Sequence, residues 1–370
     1  MSDAPSVVLA GGGTAGHISP LLATAEALLI AHPDARITAL GSYGGLEERI
    51  VPAAGVDLRL IPKAAFPRRP DLDAVRFPAR LRSAVRTTRD LLREVDADAV
   101  VGFGGFVSPP AFLAARRSRV PIVVHEGNAM PGMATKLGAR LTDHVATTFR
   151  ATDLPHAIRT GMPLRQQITS VDRAALRPEA LATYGLADDR PTVLVTGGSL
   201  GAQSINDAFA GAVRDLRAAG IQVLHISGRG KEFDPGPGAA GDPVYVVVPY
   251  ADRMELAYAV ADLVVTRAGG NMVCEVGSLG LPAVFVPLPH GNGEQRLNAG
   301  DAVDAGAAVL VPDDEFTAGW IAANLPGLVR DTERLAAMSE AASGQGHQHA
   351  AAALVAIIDE AIGERAHGVR

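Results

Sequence analysis

The chain has 370 residues, a formal net charge of -6, 48% apolar and 4% aromatic residues, and one cysteine, Cys274. That length and apolar content allow a sizeable core and exceed one average domain, so two domains are expected. A single cysteine excludes an intramolecular disulfide framework and fits a reducing compartment, and the negative balance argues against nucleic acid as a partner.

No basic segment precedes the first apolar run, so a signal peptide is not expected. Residues 4 to 25 contain no Asp, Glu, Lys or Arg. The three glycines, histidine and proline among them read as strand, turn and helix rather than a membrane span, which predicts a soluble protein. SVVLA opens the pattern as a strand, AGGGTAGHISP (10 to 20) is the turn, and LLATAEALL is the helix that follows, with Pro20 in its first turn. RITALGS, DAVVGFGG, PIVVHE and HVATT continue as strands. TVLVTGGSLG, QVLHISG, VYVVV, LVVTRAGG, PAVFVP and AVLV do the same further on. Strand-like runs alternating with Ala/Leu-rich helical stretches predict an α/β fold with parallel, doubly wound sheets.

The two halves repeat each other. Gly12-Gly13 and Gly197-Gly198 lie 185 residues apart, and ADAVVGFGG (97 to 105) is answered by ADLVVTRAGG (261 to 270). Two such matches in the same order point to two domains of one type. A glycine and a proline break the pattern in RTGMPLRQQ, which places the domains at 1–163 and 164–346. The closing helix, about 347–364, has no strand after it and is a candidate to pack back on the first domain. DPGPGAAGDP (234 to 243) is too short for a domain linker and reads as a surface loop.

Glycine turns occur at 11 to 16, 102 to 105, 197 to 201 and 268 to 270, each between a strand and a helix. Four such turns favour a cleft that holds phosphates on backbone N–H groups. Gly11, Gly13 and Gly16 have the spacing of a dinucleotide cradle, but the second strand ends in Gly41 and Ser42, without the acid that would bind a ribose. A neutral His17 at the helix start could accept a proton. Glu275, inside the helix after the fourth turn, can accept both hydroxyls of a ribose.

RAGGNMVCEVGSLGLPAVFVPLPHGNGEQRLNA (267 to 299), together with GGTAGHISP, FGGFVSPP, HEGNAMPG, TGMPLR and GGSLGAQSIN, resembles the membrane-associated N-acetylglucosaminyltransferases of peptidoglycan synthesis, which convert lipid I to lipid II. The resemblance runs from residue 7 to about 300. It implies two Rossmann-like domains facing a cleft, the glycosyltransferase B type, and an inverting transfer from UDP-GlcNAc without metal or other cofactor. Carried onto this chain, it implies donor contacts at Thr14, Ala15, Gly16, Asn128, Arg165, Ser199, Ala251, Gly270, Asn271, Met272, Glu275 and Gln295. Gly13, Gly104, Gly105 and Ser108 are the positions implied for the acceptor's diphosphate. Ala15 stands where the family often has glycine, Gly127 where it often has glutamine, Cys274 where it often has serine, and Glu294 where a glutamine pair usually begins.

For the chemistry, His17 is the candidate general base, with Glu126 as second choice or as the group that orients it. Arg165 and the glycine-turn N–H groups are the candidates to stabilise the departing diphosphate. Asp71-Leu72-Asp73 and Asp96-Ala97-Asp98 have a metal-binding pattern but sit away from strand carboxyl ends, so no metal is expected. His347 and His349 read as the solvated start of a helix.

Lys63 to Arg93 holds nine basic and three acidic residues, net +6, which leaves -12 for the rest of the chain. Arg82, Arg86, Arg89 and Arg93 share one helical face from about Pro78 to Val95, beside Leu81, Val85 and Leu92. With Phe66 and Phe77 they are the expected contact with an anionic leaflet, placing the protein peripherally on the cytoplasmic face of the bacterial membrane. The family's partners would be UDP-GlcNAc, lipid I and other cell-wall synthesis and division proteins. Two alternatives remain: a UDP-sugar transferase with another lipid or small acceptor, and a dinucleotide-binding oxidoreductase or sensor.

Overall fold

The computed structural model describes residues 4–67, 72–344 and 349–366. It divides into two compact units. One holds the chain up to Gln166 together with the C-terminal helix Ala350–Ala366, and the other runs from Gln167 to Gly346.

Over the described residues of the first unit, β1 (Ser6–Ala10), β2 (Arg36–Ser42), β3 (Asp57–Ile61), β4 (Ala99–Gly102), β5 (Ile122–Glu126), β6 (Val145–Thr147) and β7 (Ala157–Arg159) form one parallel sheet of order β3-β2-β1-β4-β5-β6-β7. In the second, β8 (Thr192–Thr196), β9 (Gln222–Ile226), β10 (Tyr245–Val248), β11 (Leu263–Thr266), β12 (Ala283–Phe285) and β13 (Ala308–Leu310) form a parallel sheet of order β10-β9-β8-β11-β12-β13. The central strands are buried on both faces and read as continuous Val/Leu/Ala runs. The edges differ: β3 alternates in exposure and β7 is fully exposed. Strand order reverses between β1 and β4 and again between β8 and β11, so each sheet has a switch point where its glycine turns emerge.

The AD-x-VV repeat has a structural cause. Asp98 accepts the Ser6 N–H on its carboxylate at 2.9 Å, and its own N–H donates to the Ser6 carbonyl at 2.8 Å. Asp262 does the same to Thr192, at 2.7 and 2.9 Å. In each unit an aspartate therefore pins the first residue of the central strand to the start of its neighbour, at the end of the sheet away from the glycine turns.

Helix Ala15–Ala31 follows β1 and buries Ile18, Leu21, Leu22, Ala25 and Leu28 in a core shared with Leu354, Val355, Ile357, Ile358 and Ala361 of the C-terminal helix. His32 Nε2 lies 2.9 Å from the Asp359 carboxylate, and Arg365 donates to the Ala97 carbonyl at 3.0 Å. Pro20 lies one turn deeper than its expected place. Its missing N–H leaves the Gly16 carbonyl without the usual helical partner.

Helix Leu72–Glu94 begins before the expected Pro78, which lies inside it. Leu81, Ala84, Val85, Leu91 and Leu92 pack with Ala111, Phe112 and Ala115 of helix Ser108–Ser118. The leucine side is thus spent inside the domain. Among the described residues no helix is long and apolar enough to cross a membrane.

Leu354 is fully buried in the core beneath helix Ala15–Ala31. Leu354→Ala is expected to cost about 2–5 kcal/mol, read as a lowered urea midpoint for the transition of the first unit.

Candidate active site

In the first unit the turn after β1 carries the histidine. His17 Nδ1 lies 3.0 Å from the Gly12 carbonyl oxygen and 3.1 Å from Thr14 Oγ1. A carbonyl only accepts, so Nδ1 is the protonated nitrogen of this contact, and in the neutral ring Nε2 then holds the lone pair a general base requires. Among the described residues no donor is paired with Nε2. Thr14 is the residue before helix Ala15–Ala31, in extended conformation. Ala15 begins the helix with its φ outside the left-handed region, so the glycine common at this position is not needed here.

Sequence reasoning missed Glu47, in helix Glu47–Ala53. It is fully buried, yet its Oε2 accepts the Gly13 N–H at 3.0 Å, and its Oε1 accepts the Ser42 N–H at 2.9 Å and hydroxyl at 3.1 Å. Burial pushes its carboxyl up, but the Gly13 and Ser42 donors outweigh that and hold it below the usual carboxylate range. The acid absent from the end of β2 is therefore present five residues later, spent on the turn itself.

The residues expected at the acceptor's diphosphate have the following hydrogen bonds. The Gly13 N–H is taken by Glu47. The Gly104 N–H donates to Ser108 Oγ at 3.1 Å, and the single hydroxyl proton of fully buried Ser108 has the Ala10 and Gly104 carbonyls as acceptors at 3.0 and 2.7 Å. Gly104 and Gly105 are glycines for space: a Cβ at Gly104 would lie 3.0 Å from His17 Nε2, and one at Gly105 would lie 2.4 Å from the Gly12 oxygen. The FGG turn is a backbone platform against which the histidine packs. Lys63, from the segment after β3, holds its ammonium 5.4 Å from the Phe106 ring centroid beside this platform.

Glu126 at the end of β5 is buried with both oxygens occupied. Oε1 accepts the Asn128 N–H at 2.9 Å, and Oε2 accepts the Gly132 N–H at 2.8 Å and the Thr135 hydroxyl at 2.5 Å. It makes no hydrogen bond to His17. Its geometry is that of a brace for the loop presenting Asn128. The neighbouring His125 donates from Nε2 to the Gly161 carbonyl at 3.1 Å and thereby ties β5 to the GMPLR segment that carries exposed Arg165. Burial holds the His125 ring down to about 4, only partly offset by that bond, so it is neutral.

In the second unit the expected residues cluster at strand carboxyl ends. Ser199 is exposed in the turn after β8, where the Gly198 N–H donates to Thr196 Oγ1 at 3.2 Å. Lys231, also missed, donates to the Leu200 and Gly201 carbonyls at 2.8 and 3.3 Å and leaves a positive charge against this turn. Gly270, Asn271 and Met272 form the first turn of helix Gly270–Ser278, with Glu275 one turn on. Tyr258 of helix Met254–Val260 is fully buried and donates its hydroxyl to Glu275 Oε2 at 2.7 Å, which fixes that carboxylate. Burial, then the charge of Glu275, pushes the Tyr258 hydroxyl well above its usual range, so it remains a donor.

Arg267 donates to the Val286 and Pro287 carbonyls at 3.1 Å each and pairs with Asp313, tying three strand ends beneath the fourth glycine turn. Asn298, fully buried, donates to the Ala268 carbonyl at 3.1 Å. Gln295 accepts the Leu288 N–H at 2.9 Å on its carbonyl, which leaves its amide NH₂ as the donor end. Ala251 is buried after exposed Tyr250, whose ring carries the Arg229 guanidinium 4.9 Å from its centroid.

Elsewhere, Asp71 lies outside the described residues, as do the side chain of Asp73 and all of His347. Asp98, the last acid of the other D-x-D, is the strand brace already described. Arg82 and Arg86 are exposed. Arg93 pairs with Asp90 at 3.3 Å, and Arg89 is half-buried with its Nε shielded. Phe66 is 59% exposed and meets Phe77 edge-on at 5.3 Å between centroids.

Residues 7–147 match the glycosyltransferase family 28 N-terminal domain, and residues 192–354 match its C-terminal domain. The chain is 54% identical over 338 residues to a UDP-N-acetylglucosamine–N-acetylmuramyl-(pentapeptide) pyrophosphoryl-undecaprenol N-acetylglucosamine transferase of Nocardioides sp., covering 91% of this chain and 93% of that relative. It is 51% identical over 358 residues to the transferase of the same description from Mycobacterium tuberculosis, covering 95% and 87%. Among solved structures, Acinetobacter baumannii MurG superposes with a TM-score of 0.74 at 26% identity, over 96% of this chain and 99% of that one. The UDP-GlcNAc 2-epimerase of Neisseria meningitidis shares the fold at 13% identity, with a TM-score of 0.66 over 96% and 100%. The two sheets have the glycosyltransferase B architecture, and the chain belongs to glycosyltransferase family 28, among the UDP-N-acetylglucosamine–N-acetylmuramyl-(pentapeptide) pyrophosphoryl-undecaprenol N-acetylglucosamine transferases.

Proposed function

We propose the following assignment of the family's reaction to the residues of this chain. The protein transfers N-acetylglucosamine from UDP-GlcNAc to the muramoyl sugar of lipid I and forms lipid II. In a single displacement the acceptor hydroxyl attacks the anomeric carbon and inverts it, while its proton passes to His17 Nε2 and UDP departs. The observation that carries this is the His17 ring, held through Nδ1 on the Gly12 carbonyl, an arrangement in which the neutral ring keeps its lone pair on Nε2.

On the donor side, Glu275 accepts the ribose hydroxyls, held in place by the Tyr258 hydroxyl. The diphosphate lies at Ser199 and the start of helix Gly270–Ser278, where backbone N–H groups and the nearby Lys231 offset the charge that develops on UDP. Arg165 adds a further cation, and we assign no metal to the step. Thr14, Ala15, Gly16, Asn128, Ala251 and Gln295 complete the donor contacts. Gly105 is retained on the acceptor side, whereas Gly13, Gly104 and Ser108 are structural there.

Membrane contact is peripheral. Arg82 and Arg86 offer open cations, and exposed Phe66 offers an aromatic ring packed on half-buried Phe77, both suited to an anionic leaflet that carries a polyprenyl acceptor.

Incubating the protein with labelled UDP-GlcNAc and a lipid I analogue in the presence of a chelator is expected to give labelled lipid II. Transfer only to a lipid without the diphosphate-linked muramoyl sugar, or only with another donor, would contradict the assignment. In the same assay His17→Ala is expected to lose roughly 10²- to 10⁴-fold in kcat. Tyr258→Phe is expected to raise the KM for UDP-GlcNAc about three- to tenfold with the acceptor KM unchanged. Charge reversal at Arg82 and Arg86 should weaken sedimentation with anionic vesicles by about tenfold or more while leaving transfer to a soluble acceptor intact.

A further inference from the structure

We infer that Glu47 is a positioning residue that sets the proton affinity of His17 through the peptide bond between Gly12 and Gly13, an inference that rests on the assignment of His17 as the base. The two hydrogen bonds fall on opposite ends of one peptide unit. Glu47 Oε2 accepts the Gly13 N–H at 3.0 Å, and the Gly12 carbonyl of that unit accepts the His17 Nδ1–H at 3.0 Å. A carboxylate drawing on the N–H pushes electron density onto the carbonyl oxygen, which then holds the imidazole N–H more strongly. The gain is largest for the imidazolium, so the chain of bonds favours the state formed when Nε2 takes the acceptor's proton. The proton stays on Nε2 and Glu47 remains a carboxylate throughout.

Three glycines enclose the carboxylate. A Cβ at Gly12 would lie 2.5 Å from Glu47 Oε1, one at Gly41 would lie 2.5 Å from its Cγ, and one at Gly45 would lie 2.3 Å from its Cδ. A buried anion is costly to keep, and a neutral side chain could brace the same turn. The carboxylate is held ionised by its amide donors in place of water. Other charged groups among the described residues have partners of their own or lie away from the ring. Lys63 lies over the Phe106 ring, the 103 to 108 loop has no ionisable residue, and the C-terminal helix places Asp359 on His32 at the far end of the His17 helix.

The test is the pH dependence of kcat for the wild type, Glu47→Gln and His17→Ala. Removing the charge is expected to move the acidic limb by about one pH unit toward acid and to lower the plateau about tenfold, with the KM for UDP-GlcNAc within twofold. An unmoved limb in Glu47→Gln would overturn the relay, even if activity fell. Near wild-type turnover in His17→Ala would instead overturn the base assignment. Should Glu47→Gln fail to fold, the wild-type Gly13 amide resonance is expected to titrate with the midpoint of the His17 ring, and a Gly13 resonance that does not follow the ring would overturn the relay.

Discussion

The peptide between Gly12 and Gly13 is gripped at both ends, by a buried carboxylate on its N–H and by an imidazole N–H on its carbonyl. The geometry around the histidine follows from that grip. It sets the tautomer of His17, and it requires Gly105 to be bare because a side chain there would strike the Gly12 oxygen. It also draws helix Glu47–Ala53 beneath the turn, against the end of β2. Gly104 then supplies the flat backbone against which the ring lies.

The two units descend from one pattern and use it for opposite electrostatics. Asp98 and Asp262 pin equivalent strands with equivalent hydrogen bonds. At the other end of each sheet the turns diverge. The Gly13 N–H meets the Glu47 carboxylate, whereas the corresponding Gly198 N–H meets a neutral threonine hydroxyl, with Lys231 donating to carbonyls of the same turn. A turn backed by a carboxylate suits a base that must gain positive charge. A turn backed by an ammonium suits a leaving group that gains negative charge.

Much of this was legible in the sequence because it is local. Buried parallel strands are unbroken apolar runs, and glycine turns follow them directly. The edge strands were harder to see: Asp57–Ile61 alternates in burial and Ala157–Arg159 buries nothing, so neither produces an apolar run. Glu47 was hidden for another reason. It lies 34 residues from Gly13, in a short helix with no motif of its own, and only the fold brings the two together. Tyr258 was concealed in the apolar stretch AYAVAD, where an aromatic reads as core. The close packing of Gly104 and the hydrogen bond from its N–H to Ser108 were likewise invisible, because composition does not carry them. The basic helix showed its arginines correctly, but not that its leucines were already committed to the domain core.

A role for His17 as a base requires that Nε2 be the bare ring nitrogen. Nitrogen-15 NMR of the histidine-labelled protein, at a pH where the ring is neutral, reads this directly. The predicted spectrum shows His17 with its proton on Nδ1 and an unprotonated Nε2. A proton on Nε2 would contradict both the hydrogen bond to Gly12 and the role of this histidine as the base.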